Sequence, residues 1–327
     1  MIDLHLHFDG SLPIDSVWEQ LQKQGIETDI TDKEMLRDEM VCPIDCQSLN
    51  EYLAKFTLPL SVLQTEDGIR ECMRDLVKEL ASEQMLYAEI RFAPQLHLQK
   101  GLSQREVIAA AISGAEEGMQ DTNIKVQLIL CCMRGTDNHA ENVETVQLTK
   151  EFLHKGVCAC DLAGAEALFA TENFEDLFVL AKELNVPYTI HAGEADGSSS
   201  MRAALRFGAK RLGHGVRAAS DAALVNELVE EKICLECCPI SNVQTKAVVN
   251  IAEHPIKEFL YRGVLVTVNT DNRTISQTTI AKEIAFLREH LGLTVEEERQ
   301  LYLNAADNAF LSLEERKGLK DAIKQII

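Results

Sequence analysis

Eight short apolar runs, each followed by a longer helical stretch, constrain this 327-residue chain more than any other feature. The runs cover 2–10, 85–92, 124–131, 157–161, 187–191, 211–214, 233–237 and 264–269. Helical spacing of apolar residues marks 14–21, 49–63, 68–83, 103–120, 141–155, 174–184, 200–207, 221–230, 256–261 and most of 277–327. The 103–120 stretch opens on a Ser103-x-x-Glu106 capping box. Strands that alternate with crossover helices lie parallel in one sheet. Eight such units, with no Pro/Ser-rich linker and no low-complexity segment, predict an α/β fold: a single (β/α)8 TIM barrel over 1–327. The long interval between the first two runs must hold extra helices, which would cover the C-terminal mouth of the barrel.

The first run carries the first chemistry. Ile2, Leu4 and Leu6 alternate with Asp3, His5 and His7, the period of a strand, so His5 and His7 project from the same face. Imidazoles so placed can close on one metal ion at about 2.0–2.1 Å. An H-x-H pair alone fits equally well with two unrelated polar positions on a half-buried strand. Barrels of this kind place their active sites at the C-terminal strand ends. At those ends lie His5 and His7, then His191, His214 and Asp271, with Asp161 and Gly164 after the fourth run. Three imidazoles and one carboxylate leave zinc an open position for a water whose pKa falls to about 7. Glu194, three residues past His191, is placed to face substrate as a general acid. This constellation describes metal-assisted hydrolysis. His97, His139, His154, His254 and His290 fall on helices or loops and read as ordinary structural residues.

Composition narrows the partners. A formal net charge of −20 argues against a nucleic-acid partner, since phosphate binding needs clustered Lys and Arg. The chain opens on a strand, without a signal peptide, and no apolar run reaches the ~18–20 residues of a membrane span. Ten cysteines in such a chain suggest a reducing, cytoplasmic setting, and their spacing is not that of a structural zinc site.

The ordered motifs make the resemblance specific. They are His5-Leu6-His7-Phe8-Asp9-Gly10-Ser11-Leu12, residues 87–94, 130–134, Asp161-Leu162-Ala163-Gly164, His191-Ala192-Gly193-Glu194, Gly213-His214-Gly215, Cys238-Pro239-Ile240-Ser241-Asn242 and Asn269-Thr270-Asp271. In this order, and over nearly the whole chain, they resemble the adenosine deaminase family of the metal-dependent amidohydrolases. The resemblance implies one zinc ion per chain, held by His5, His7, His191 and Asp271. It implies that Glu194 delivers a proton to purine N1. It implies too that His214 and Asp271 orient the attacking hydroxide and take up its proton. His7, Asp9, Gly164 and Asn272 would meet the substrate, Gly164 through its N–H to purine N3 and Asp9 through a ribose hydroxyl. The helix with Leu53, Phe56 and Leu60 resembles the apolar cover of the pocket, although plain core packing explains that spacing equally well.

The implied reaction is deamination of adenosine, and of 2′-deoxyadenosine, to inosine and ammonia in purine salvage. Adenine, an N6-substituted adenine nucleotide or a non-catalytic purine-binding barrel are the alternatives. One position departs from the pattern: Asn272 stands where the family usually has a second aspartate. An amide donates to purine N7 while neutral, whereas a carboxyl must first be protonated. The cytidine-type deaminases are excluded, since no Pro here precedes a Cys. A two-metal hydrolase would show a bridging Lys, and the fourth run ends in Cys160-Asp161 without one.

Overall fold

The computed structural model describes residues 1–43, 46 and 49–326. Its strands are β1 (Ile2–His7), β2 (Tyr87–Phe92), β3 (Lys125–Met133), β4 (Val157–Ala163), β5 (Ile190–Ala192), β6 (Arg211–His214), β7 (Cys234–Cys237) and β8 (Leu265–Val268). All pair in parallel, as β1-β2-β3-β4 and β5-β6-β7-β8. Single bridges at Cys160–Tyr188 and Leu6–Asp271 close the two halves into one (β/α)8 barrel. β5 is shorter than the 187–191 run. Pro187 has no N–H to give, and the seam to β4 consists of Cys160 N to Pro187 O and Thr189 N to Cys160 O.

The interval after β1 holds α1 (Ile14–Gln24), α2 (Lys33–Met40), α3 (Leu49–Ala54), α4 (Thr57–Val62) and α5 (Glu66–Ser82). Two details depart from the sequence reading. The charged α2 was not anticipated. The single helix expected over 49–63 is broken after Ala54, and Pro59 sits in the first turn of α4, where its missing N–H costs nothing. The crossover helices follow as α6 (Gln104–Met119), α7 (His139–Phe152), α8 (Glu175–Glu183), α9 (Ser198–Arg206) and α10 (Ala222–Glu230). The set ends with α11 (Pro239–Gln244), α12 (Ile256–Arg262), α13 (Ile280–Leu291), α14 (Val295–Asn308) and α15 (Leu313–Ile326). Ser103 and Glu106 form the expected capping box on α6, and Thr294 and Glu297 form a second on α14. Ile327, read with the last helix, lies outside the described residues. No helix among the described residues is long and apolar enough to cross a membrane. All ten cysteines are buried, and none forms a disulfide among the described residues.

The strands bury opposite chemistries on their two faces. Leu4, Leu6, Ile90, Leu162, Leu212 and Leu235 join the apolar core beneath the helices. The alternate residues fill the barrel interior with charge. Arg91, fully buried, donates to Asp161 Oδ2 at 2.7 Å, Glu236 Oε2 at 2.8 Å and the carbonyl of Leu4 at 2.7 Å. Arg211 donates to Glu236 Oε1 at 2.7 Å, pairs with Glu89 Oε2 at 2.6 Å and lies 4.1 Å from the centroid of the Phe310 ring. Burial opposes ionisation of Asp161 and Glu236, but His191 and Arg91 beside the first, and Arg211 and Arg91 beside the second, hold both carboxyls well below their usual range. Removing one partner of such a network strands a buried charge. Arg91→Met should therefore cost about 3–5 kcal/mol of stability, read as a lowered urea midpoint.

Candidate active site

β1 and the end of β8 are tied backbone to backbone. His7 N donates to Asp271 O at 2.6 Å and Asp271 N to His5 O at 2.8 Å, so the barrel seam itself joins the two ends of the chain's polar set. Around that seam His5, His7 and His191 bring their ligand-capable atoms within 4.8 Å of one another, and so do His5, His214 and Asp271. His7 Nε2 lies 3.2 Å from His191 Nε2, and Asp271 Oδ1 lies 3.6 Å from His5 Nε2 and 3.4 Å from His7 Nε2. Asp271 and His214 both hold left-handed backbone, at φ of 58° and 60°. Bulky residues adopt that region at a cost, and such strain gathers at functional sites.

Behind the imidazoles stand carboxylates. His5 Nδ1 is 2.8 Å from Glu236 Oε2, and His191 Nδ1 is 2.9 Å from Asp161 Oδ2. Glu236 fixes the His5 ring proton on Nδ1, so His5 Nε2 turns a bare lone pair toward the cluster. Asp161 stands beside His191 as a charge partner and raises that ring's pKa although burial opposes it. His5 Nε2 is buried and has no hydrogen-bond partner among the described residues. Burial, and then the charge of Arg91, push His5 down to about 4, and burial also lowers His7 well below its ordinary value. Burial alone would raise the Asp271 carboxyl, but the neighbouring imidazoles of His5, His214 and His7 pull it well below the carboxylate range. A buried carboxylate among imidazole nitrogens, with no guanidinium of its own, is a donor set that fits a divalent cation.

Above the cluster opens a cavity of about 200 Å³. Tyr52, Leu53, Phe56 and Leu60 from α3, α4 and the turn between them line it, together with Leu96 and Met133. The apolar triplet read ambiguously from sequence thus covers the cavity. His7, Asp9, Gly164, Glu194, His214, Asp271 and Asn272 line the polar side, and no Lys or Arg does so among the described residues. Gly164, at φ of 102°, brings bare backbone to the cavity wall. Burial pushes Asp9 up to about 6. Asn272 presents a buried Oδ1 with no hydrogen-bond partner among the described residues. Gly10 is glycine for clearance: a Cβ there would stand 1.9 Å from that oxygen.

Four residues that the sequence reading left without a role hold the site in place. Three follow β7 on or just beyond α11. Ser241 Oγ donates to Asp271 Oδ2 at 2.5 Å, Asn242 Nδ2 lies 3.0 Å from His214 Nδ1, and Thr245 Oγ1 donates to Glu194 Oε1 at 3.0 Å. The fourth is Glu166, just beyond β4. Its carboxylate accepts the N–H groups of Gly193, Glu194, Ala195 and Asp196 at 2.7–3.0 Å, and the Ser200 hydroxyl at 2.6 Å. It templates the loop that carries Glu194, and those hydrogen bonds lower its carboxyl although burial opposes them. The Cys238–Asn242 motif signalled the first two; no sequence period marks the other two.

The sequence profile of the adenosine deaminase family matches residues 1–326. An adenosine deaminase from Haemophilus ducreyi is 47% identical over 99% of this chain and 96% of its own length. The chain belongs to the adenosine deaminase family. It is thus a hydrolase of carbon–nitrogen bonds in cyclic amidines. Among solved structures it is similar to an adenine deaminase from Arthrobacter aurescens, with a TM-score of 0.90 and 26% identity over 99% of this chain and 98% of the other. It is also similar to an N6-methyl-AMP deaminase from Arabidopsis thaliana, with a TM-score of 0.85 and 25% identity over 99% and 96% of the two chains.

Because Glu166 satisfies four backbone N–H groups, Glu166→Ala should cost at least about 2 kcal/mol. Hydrogen exchange should show the amides of 193–196 losing protection while β-strand amides keep theirs.

Proposed function

We propose that this chain, acting as one catalytic domain, hydrolyses adenosine and 2′-deoxyadenosine to inosine and ammonia with one bound zinc ion, in the cytoplasm. The observation that carries the substrate choice is the wall of the cavity. It contains Asp9 and no Lys or Arg among the described residues. A nucleotide would bring a dianionic phosphate to a site with no cation to meet it and a carboxylate to repel it. A neutral ribose instead offers hydroxyls that Asp9 accepts.

His5, His7, His191 and Asp271 would hold the metal, whose chemistry is to make water nucleophilic at neutral pH and to stabilise the charge that develops on attack. Glu194, with Thr245 holding Oε1, stands on the cavity side to donate a proton to purine N1, which makes C6 electrophilic. His214 and Asp271 orient the attacking oxygen. Gly164 gives the base a close backbone edge. Asn272 faces the cavity with an amide that donates to N7 without first taking up a proton, so the departure from the family's aspartate preserves the contact. The apolar wall of Leu53, Phe56 and Leu60 excludes water above the reacting carbon.

Two measurements test this reading. Adenosine should be turned over at least about 10²-fold more efficiently than its 5′-phosphate, because no cation meets the phosphate. Efficient turnover of the nucleotide would contradict the substrate choice. Glu194→Gln should keep its zinc and lose about 10²-fold or more in kcat. Near-normal kcat would assign the proton to another group.

A further inference from the structure

His214 reaches the cavity with its proton position already decided, and the residues that decide it lie outside the cavity. The chain of contacts begins at two backbone N–H groups, which can only donate. Ile256 N donates to His254 Nδ1 at 3.3 Å, so that nitrogen carries the lone pair. Burial lowers His254 to about 3 and keeps the ring neutral, which places its single proton on Nε2. His254 Nε2 lies 3.2 Å from Asn242 Oδ1 and donates to it. Cys238 N donates to the same oxygen at 3.3 Å. Two donors on one atom identify it as the amide oxygen, so the other arm of Asn242 is NH2. That arm lies 3.0 Å from His214 Nδ1. A neutral imidazole that accepts at Nδ1 carries its proton at Nε2, and His214 Nε2 is the nitrogen on the Glu194 side, 3.5 Å from Oε2.

We infer that Asn242, oriented by His254 and by the Cys238 N–H, is a positioning residue that locks His214 as the Nε2–H tautomer, making His214 a hydrogen-bond donor to the attacking oxygen and leaving Asp271 as the proton acceptor. The step balances on those terms. The water oxygen forms a bond to C6 as the C6–N1 π bond breaks toward N1, which takes the proton of Glu194. The water's proton passes to the Asp271 carboxylate, and His214 keeps the proton it brought. An imidazole with no free lone pair at Nε2 has no place there for a second proton. The inference rests on the deaminase reading for its chemistry but not for its geometry, since the tautomer exists without substrate.

The polar atoms of the relay belong to five buried residues: Cys238, Asn242, His254, Ile256 and His214. Water therefore does not compete for the relay. His254 reads as an ordinary structural histidine from sequence, because its partner lies 12 residues away across a turn.

Nitrogen-15 NMR of histidine-labelled, zinc-loaded protein reads the tautomer directly. The wild type should show His214 with Nε2 protonated and Nδ1 bare. Asn242→Asp keeps the shape but offers only acceptors, so the His214 proton should move to Nδ1. The kcat should then fall about 10²-fold or more while KM changes less than about threefold and zinc content holds. A wild-type ring protonated at Nδ1, or Asn242→Asp with an unchanged tautomer and kcat, overturns the inference. Should that variant not fold, the pair His254→Gln and His254→Leu decides. Glutamine keeps a donor for Asn242 Oδ1 and should retain kcat, whereas leucine should lower it severalfold; equal kcat in the two overturns the relay. If adenosine proves not to be the substrate, the NMR result still stands or falls by itself.

Discussion

Arg91 is the residue on which the site depends. It lies fully buried inside the barrel and holds Asp161 with one nitrogen and Glu236 with the other. Those two carboxylates are the groups that back His191 and His5. One guanidinium thus fixes two carboxylates; Glu236 hydrogen-bonds the His5 ring, Asp161 pairs in charge with His191, and both imidazoles belong to one cluster. Its planar fork suits this task, and a lysine would not span both acceptors. A buried ion network of this kind is weak evidence for stability as such, because desolvation offsets much of its attraction. Its value here lies in the rigidity it lends to imidazoles drawn from the two halves of the barrel.

A second level of order comes from α11 and the residue just after it. Ser241, Asn242 and Thr245 each take hold of a different group of the site: Asp271, His214 and Glu194. A six-residue helix after β7 and its C-terminal cap thereby align groups that arise at the end of β6, just beyond β8 and in the loop after β5. Glu166 completes the set by gathering four amides of the Glu194 loop. The polar side chains of the cavity are thus each held by a second hydrogen-bonding group, the arrangement that holds a constellation to sub-ångström tolerance.

Much of this was legible in the sequence because the barrel turns strand ends into neighbours. His5, His7, His191, His214 and Asp271 are scattered over the chain, yet each lies at or near the C-terminal end of a strand, and the topology alone makes them meet. Glu236 was not legible as a partner. It lies inside the apolar 233–237 run, and its contact with His5 spans 231 residues. His254 and Glu166 carry no period or spacing that points to a distant partner. The break between α3 and α4 escaped notice because Leu53, Phe56 and Leu60 keep near-helical spacing across it, and the cavity wall needs only that they point the same way. Gly10 carries no sequence signal for its role, which is room for the Asn272 side chain.

Titrating metal-stripped protein with zinc while following adenosine conversion through its absorbance tests the central claim most directly. A single buried cluster of three imidazoles and Asp271 predicts no turnover without metal and a linear rise that stops at one zinc per chain. Turnover by the stripped protein, a plateau at two zinc ions, or no inosine at any zinc load would contradict it.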